Sequence, residues 1–160
     1  MEAVALLLKL AHVLAAFAFV AGLGGRWVLL TRAARSDAVE RAHLLSEAAQ
    51  PFERAVQVSS MALVPLGVAT AWAQGYPWLG LTTGWMLLSV LLIVPAIALV
   101  PTVFVPRGRI FEAAMVAARE AGHVTPALRA AWNDRAVTTA RRYEIASVAL
   151  IVALMVVKPF

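Results

Sequence analysis

Four long apolar stretches, separated by polar segments, form the pattern of hydrophobic and polar positions along the chain. They cover residues 3–30, 55–73, 81–105 and 137–157, and a helix needs roughly 20 apolar residues to cross the hydrocarbon core of a membrane. The pattern therefore predicts an all-α membrane protein. It consists of a bundle of four transmembrane helices that forms one integral membrane domain over residues 1–160.

Shorter helices are predicted in the two longer polar segments. Asp37 and Glu40 have the spacing of a capping box, which predicts a helix that starts there and ends near residue 49. Gly122 is a typical stop for a helix that begins near Ile110.

A further helix start is predicted after Gly122. Thr125 and Pro126 have the residue types of an N-cap and a first helical position. The pattern after them predicts one long helix over residues 127–157, the first third of which projects from the membrane.

The arginines predict the orientation of the bundle. The connection over residues 74–80 carries no charge, whereas every arginine except Arg26 lies in or beside the two longer polar segments. The positive-inside rule then places both segments in the cytoplasm and both termini outside, as expected for a multi-pass membrane protein. Four aromatic residues are predicted to form a belt at the outer membrane surface: Trp72, Tyr76, Trp78 and Trp85.

Composition supports a membrane protein and excludes other classes. Hydrophobic residues make up 62% of the 160 positions and charged residues 14%, with a mean hydropathy of +0.81, against about 45–50% and 25% in soluble domains. The absence of cysteine excludes disulfides, thiolate metal sites and covalently attached c-type haem. The net charge of +5 is a topology signal. The predicted partners are therefore the lipid bilayer and a homo-oligomer or larger membrane complex, and not nucleic acid.

The first apolar stretch contains the ionisable residues that could carry chemistry. Lys9, His12, Phe19 and Arg26 recur at helical spacing and fall on one stripe of the helix. Three glycines predict the close approach of another helix there: Gly22, Gly24 and Gly25.

His12 is the one histidine inside a predicted span, at a depth of roughly 13 Å. A neutral imidazole there can ligate haem iron or copper, and the alternative is a buried histidine that hydrogen-bonds to a neighbouring helix. A haem b would take its second axial ligand from Met61, from Met86 or from the His12 of a second copy. Lys9 either reaches the membrane surface or pairs with an acidic group such as a haem propionate.

The other polar residues of the spans have structural interpretations. Arg26 is expected to extend to the inner membrane surface, and Glu144 is expected to form an ion pair beside Arg141 and Arg142. The hydroxyl side chains of the second and third spans are expected to hydrogen-bond between helices. No nucleophile elbow, phosphate loop or HExxH motif occurs, and no catalytic residue is assigned.

Both ends of the chain resemble families of small membrane proteins. The segment Leu8-Lys9-Leu10-Ala11-His12-Val13, followed by Gly22, resembles the first span of copper-resistance D-like and protoporphyrinogen-oxidase-like four-helix membrane proteins. The ending Leu154-Met155-Val156-Val157-Lys158-Pro159 is similar to that of predicted bacterial integral membrane proteins of unknown function.

The resemblance implies haem b or copper at His12, with Lys9 at the position of the relatives' lysine. The chain departs from these relatives because its spans contain no second histidine and its third span contains no lysine. Three functions are therefore carried forward: a haem-binding electron-transfer protein, a non-catalytic subunit or anchor of a larger complex, and a copper-handling protein with His12 and Met61 or Met86 as ligands.

Overall fold

The chain folds as α-helices joined by short connections in the computed structural model, which describes residues 2–159. The α-helices of this part of the chain are α1 (Glu2–Ala34), α2 (Val39–Ala73), α3 (Gly84–Leu99), α4 (Val105–Ala121), α5 (Pro126–Trp132) and α6 (Arg135–Val157). A 3₁₀ turn over Pro77–Gly80 lies between α2 and α3, and a π-helical segment over Val100–Phe104 joins α3 to α4. The all-α prediction is confirmed for these residues.

Helix α2 is longer than predicted. It continues without a break through Pro51, so the separate helix that was expected to end near residue 49 is part of the second span. The capping-box prediction is also wrong, because Ala38 is the N-cap and no side chain caps this helix. The Asp37 side chain is exposed, 3.7 Å from an Arg129 nitrogen.

Helices α3 and α4 are continuous through the π-helical segment. Pro101 lies in this segment and lacks the N–H that an α-helical hydrogen bond requires, which is a common cause of local π geometry. The predicted start near Ile110 is therefore wrong, since α4 begins at Val105. The predicted stop is confirmed, because Gly122 caps α4 in the left-handed conformation with a φ of 73°.

The predicted long helix after Thr125 is broken in two. The Thr125 hydroxyl accepts a hydrogen bond from the Leu128 N–H, which confirms the cap of α5. Helix α5 then ends at Trp132, and Asp134 caps α6 by accepting hydrogen bonds from two backbone N–H groups. An Asp at an N-cap satisfies these donors, so the break was readable from this residue.

The long helices pack as two pairs, α1 along α2 and α3 along α6. Phe19, Leu23 and Val56 form the core between α1 and α2. A second core is formed between α2, α4 and α5 near the end of the bundle where α1 ends and α2 begins. We call this part of the molecule the head, and its buried residues are Val39, Ala42, Met115, Ala118 and Leu128.

Three helices within residues 2–159, not the predicted four, are long and apolar enough to span a membrane: Glu2–Ala34, Val39–Ala73 and Gly84–Ala121. Helix α6 differs because every 18-residue stretch of it contains Arg141, Arg142 and Glu144. The apolar part that follows, residues 145–157, is shorter than a full span requires.

Aromatic residues gather at the end of the bundle opposite the head, which we call the loop end. The Tyr76 and Trp85 rings meet edge to face at 6.3 Å, and the Lys158 ammonium lies 5.6 Å from the Trp85 ring centre. Trp72 and Trp78 are exposed there. Such exposed aromatic rings are typical of a membrane–water interface.

Candidate functional site

An ion pair joins the first and last long helices at the head end of the bundle. An Arg26 nitrogen of α1 donates to a Glu144 carboxylate oxygen of α6 at 2.9 Å. Both residues are buried, with 9% and 4% of their surface exposed. The predicted ion pair of Glu144 therefore forms, but its bonded partner is Arg26 and not the adjacent Arg141 or Arg142.

The Arg26 side chain, which was predicted to extend to the inner membrane surface, is buried between helices in the described chain. Its guanidinium carbon lies 5.4 Å from the centre of the Phe104 ring, at the end of the π-helical segment. The face of the guanidinium is thus used by an aromatic ring and one edge by a carboxylate, an arrangement that stabilises a cation away from water. The two interactions connect α1 to α6 and to the α3–α4 helix.

Two glycines of α1 allow α2 to approach closely next to this ion pair. A Cβ atom on Gly22 would lie 2.8 Å from a Val56 methyl group and 2.9 Å from the Phe52 carbonyl oxygen, and one on Gly25 would overlap the Phe52 ring. The space beside Gly24 is open. The prediction of close backbone approach is therefore confirmed for two of the three glycines.

A cleft lies between the two helix pairs and is bounded at one side by Glu144. Its walls are mainly apolar and include Phe19, Leu63 and Ile97. The buried carboxylate is therefore next to an apolar space that runs from the level of the ion pair towards His12, because Leu63 also lies beside the His12 ring.

His12 lies against α2, far from the head. Its ring is half-buried and packs on Gly67, where a Cβ atom would lie 3.2 Å from the ring carbon Cε1. The ring nitrogen Nδ1 is buried and has no hydrogen-bond partner among the described residues. The stripe predicted for α1 therefore changes along its length: Phe19 and Arg26 are buried, His12 is half-buried and Lys9 is exposed.

The structure does not bring the other predicted ligands to His12. Met61 is 79% exposed on the outside of α2, and the sulfur of Met86 packs against Gly80 in the connection between α2 and α3. Within residues 2–159 no group of three or more His, Cys, Asp or Glu residues is close enough to hold a metal ion. One imidazole can fill one axial position of a haem, and the second ligand would have to come from another chain. The haem and copper assignments stay predictions.

The hydroxyl side chains do not join helices as predicted. Those of Ser59, Thr70, Ser89 and Thr102 each donate to a backbone carbonyl one turn earlier in the same helix. This local bond satisfies a hydroxyl without a partner helix, so it is available wherever a Ser or Thr lies in a span.

Sequence reasoning found Arg26 and Glu144 separately but missed their pairing. The two residues are 118 positions apart. The signal that could have found the pair is depth in the membrane, because each is an ionisable residue near the inner end of its predicted span. A charge inside a membrane is costly alone, and an opposite charge at the same depth is the expected partner.

The model of one protein family matches nearly the whole chain. It describes predicted integral membrane proteins, DUF2269, and matches residues 6–159. No curated protein and no solved structure gives a significant match.

Proposed function

The chain belongs to DUF2269, a family of predicted integral membrane proteins. We propose that it is a non-catalytic membrane subunit. Its bundle of helices anchors the head at one membrane face, and the head binds a partner protein there. The single observation that carries this proposal is the continuity of two helices, α2 and α3–α4, which run from the loop end into the head without an intervening loop. Such helices fix the position of the head relative to the membrane.

The proposal includes α6 as a fourth membrane-spanning helix. It packs along α3 over its apolar part, and its buried carboxylate, Glu144, is paired with Arg26, which lowers the cost of placing that charge in the membrane. Arg141 and Arg142 would lie at the membrane surface. With four spans both termini lie on one side, and the arginines favour a cytoplasmic head in a bacterial inner membrane. A reporter fused to the C-terminus should then be extracytoplasmic, and a cytoplasmic signal would contradict this orientation.

The subunit proposal predicts an assembly that depends on the head surface. Leu44 of α2 is 63% exposed there, and in this proposal it is one of the side chains that the partner covers. In native membranes the chain should migrate on a native gel in a complex larger than the purified chain forms alone. Leu44→Glu should release it, whereas Gln50→Glu, which places the same charge at an exposed position about 120° around the helix from Leu44, should not. Equal migration of the native and purified forms would contradict a subunit role.

A second candidate function is binding of haem b at His12 for electron transfer. The observation that favours it is the buried Nδ1 atom without a partner, since a buried polar atom is normally satisfied. The lack of a nearby second ligand favours a haem shared between two copies or with another protein. The reduced-minus-oxidised spectrum of the purified protein, expressed with haem available, tests this. A b-type band that disappears in His12→Ala would support it, and a featureless spectrum of the folded protein would exclude it.

A further inference from the structure

A notch between α1 and α6 carries more positive than negative charge. It is shallow and open at the surface, and it is lined by Leu23, Arg26, Trp27, Arg141, Glu144 and Ile145. Two of these residues are cations and one is an anion. The notch lies at the head end of the bundle. Glu144 lines both the notch and the apolar cleft described above.

Arg141 is the unbalanced charge of the notch. Arg26 and Glu144 neutralise each other. The carboxylates of Glu53 and Glu144 act on Arg141 only at longer range, because among residues 2–159 no carboxylate lies within 4.0 Å of a nitrogen of Arg141. The Arg141 side chain is nevertheless half-buried. A guanidinium carries five N–H donors, and no side-chain hydrogen bond of the described chain uses those of Arg141.

Arg26 also keeps donors for a ligand. One of its nitrogens bonds to Glu144, and the other donors make no hydrogen bond within the described chain. Two guanidinium groups that converge on one notch are suited to a phosphate group, which accepts several charge-assisted hydrogen bonds from arginine.

The apolar residues of the notch point to the source of that phosphate. Leu23 precedes Arg26 by about one turn, and Ile145 follows Glu144, so both lie on the side of the notch that faces the loop end. Trp27 is 53% exposed and Ile145 is 45% exposed. A charged floor with an apolar edge and an exposed tryptophan matches the junction of a lipid headgroup with its acyl chains.

We propose that this notch binds the phosphate of an anionic phospholipid through Arg141 and Arg26, with the acyl chains of the lipid along Leu23 and Ile145. The ligand class is defined by one negative charge on a phosphodiester and by an attached hydrocarbon chain. Zwitterionic lipids have the same phosphate but carry a cation next to it, which two arginines disfavour.

The experiment uses the purified full chain in detergent and counts bound lipid by native mass spectrometry. The probes are phosphatidylglycerol, phosphatidylcholine and inorganic phosphate. Arg141→Gln removes the unbalanced charge, and Arg142→Gln is the matched control because this neighbour is exposed and does not line the notch. We expect Arg141→Gln to weaken phosphatidylglycerol binding about tenfold and Arg142→Gln to leave it within about twofold.

Four other results would overturn the proposal. Equal losses in the two variants would assign binding to diffuse surface charge, and equal affinity for phosphatidylcholine would remove the requirement for a net negative lipid. Displacement of the lipid by inorganic phosphate at the same concentration would assign the site to a free anion. Finally, if Arg141→Gln does not fold, the test uses Arg141→Lys. This variant must retain part of the lipid binding, because it keeps the charge and loses the planar pair of donors. A folded Arg141→Lys that loses all binding, with a parallel loss in Arg142→Lys, would contradict the site.

Discussion

The ionisable residues at the two ends of the bundle differ in their burial and in their hydrogen-bond partners. At the head end, Arg26 and Glu144 are buried, bonded at 2.9 Å and flanked by the Phe104 ring, so three helices meet at one charged pair. Towards the loop end, His12 is half-buried between two helices only, and its Nδ1 atom has no partner. Lys9, one turn earlier, is exposed.

The comparison distinguishes the Arg26–Glu144 pair, which connects helices, from His12, which makes no such connection. The head-end pair connects helices distant in sequence, and each charge is buried only because the other is present. Replacing His12 removes no hydrogen bond of its Nδ1 atom, because the described chain gives that atom none. The head end should therefore be sensitive to substitution and the region of His12 should not, unless a ligand binds there.

The largest effect is expected when one member of the pair is removed. Glu144→Ala leaves the Arg26 guanidinium buried without a counter-charge and should lower the free energy of unfolding by about 3–5 kcal/mol. Unfolding in mixed detergent micelles, followed by circular dichroism, measures this. Glu112→Ala, at an exposed position of α4, serves as the control and should change stability by less than about 1 kcal/mol.

A double variant sharpens this prediction. Arg26→Leu combined with Glu144→Leu removes both charges and should recover most of the stability lost in the single variant, because a buried ion pair is often replaceable by apolar residues. A single variant as stable as the wild type would show that the pair is hydrated and not buried, and the contrast between the two ends would fail.

An intermediate effect is expected at the glycines beside the pair. Gly22→Ala places a Cβ atom within 3 Å of both Val56 and the Phe52 carbonyl, which forces α1 away from α2 and should cost about 1–3 kcal/mol. Gly24→Ala is the matched control, since nothing lies within 4 Å of its Cβ. It should stabilise α1 by up to about 1 kcal/mol through helix propensity. Equal effects of the two substitutions would mean that α1 and α2 are not closely packed at this level.

The sequence was sufficient for the features that depend on local chemistry. The helical class, the caps at Thr125 and Gly122 and the close approach at Gly22 all follow from residue types within one or two turns. The predictions that were wrong concern helix boundaries, where opposing local signals compete, and contacts between residues that are far apart in the sequence. A separate helix was expected to end near residue 49, but α2 continues through Pro51, because a helix can continue through a proline at the loss of one hydrogen bond.

The candidate site was predictable only in part for the same reason. Arg26 and Glu144 could each be recognised as unusual charges, but their contact depends on how α1 and α6 meet, which no local pattern encodes. Helix α6 was predicted as a span from its hydrophobic pattern, and its three charges are the reason it is not among the helices that qualify by length and composition alone. The predicted stripe on α1 identifies the buried face correctly at Phe19 and Arg26. It identifies that face less well towards the loop end, because α1 packs less closely there.

The smallest effect is expected at His12. His12→Leu keeps a similar volume against Gly67 and removes a buried nitrogen that has no hydrogen-bond partner in the described chain. Loss of an unsatisfied polar group costs little and can be favourable, so stability should change by less than about 1 kcal/mol in either direction. The same unfolding titration checks this on protein purified without added haem, with Leu63→Ala as a packing control. If His12→Leu instead loses as much stability as Glu144→Ala, His12 is bonded to something that the chain alone does not supply. The region near the loop end would then be a binding site and not a tolerated polar position.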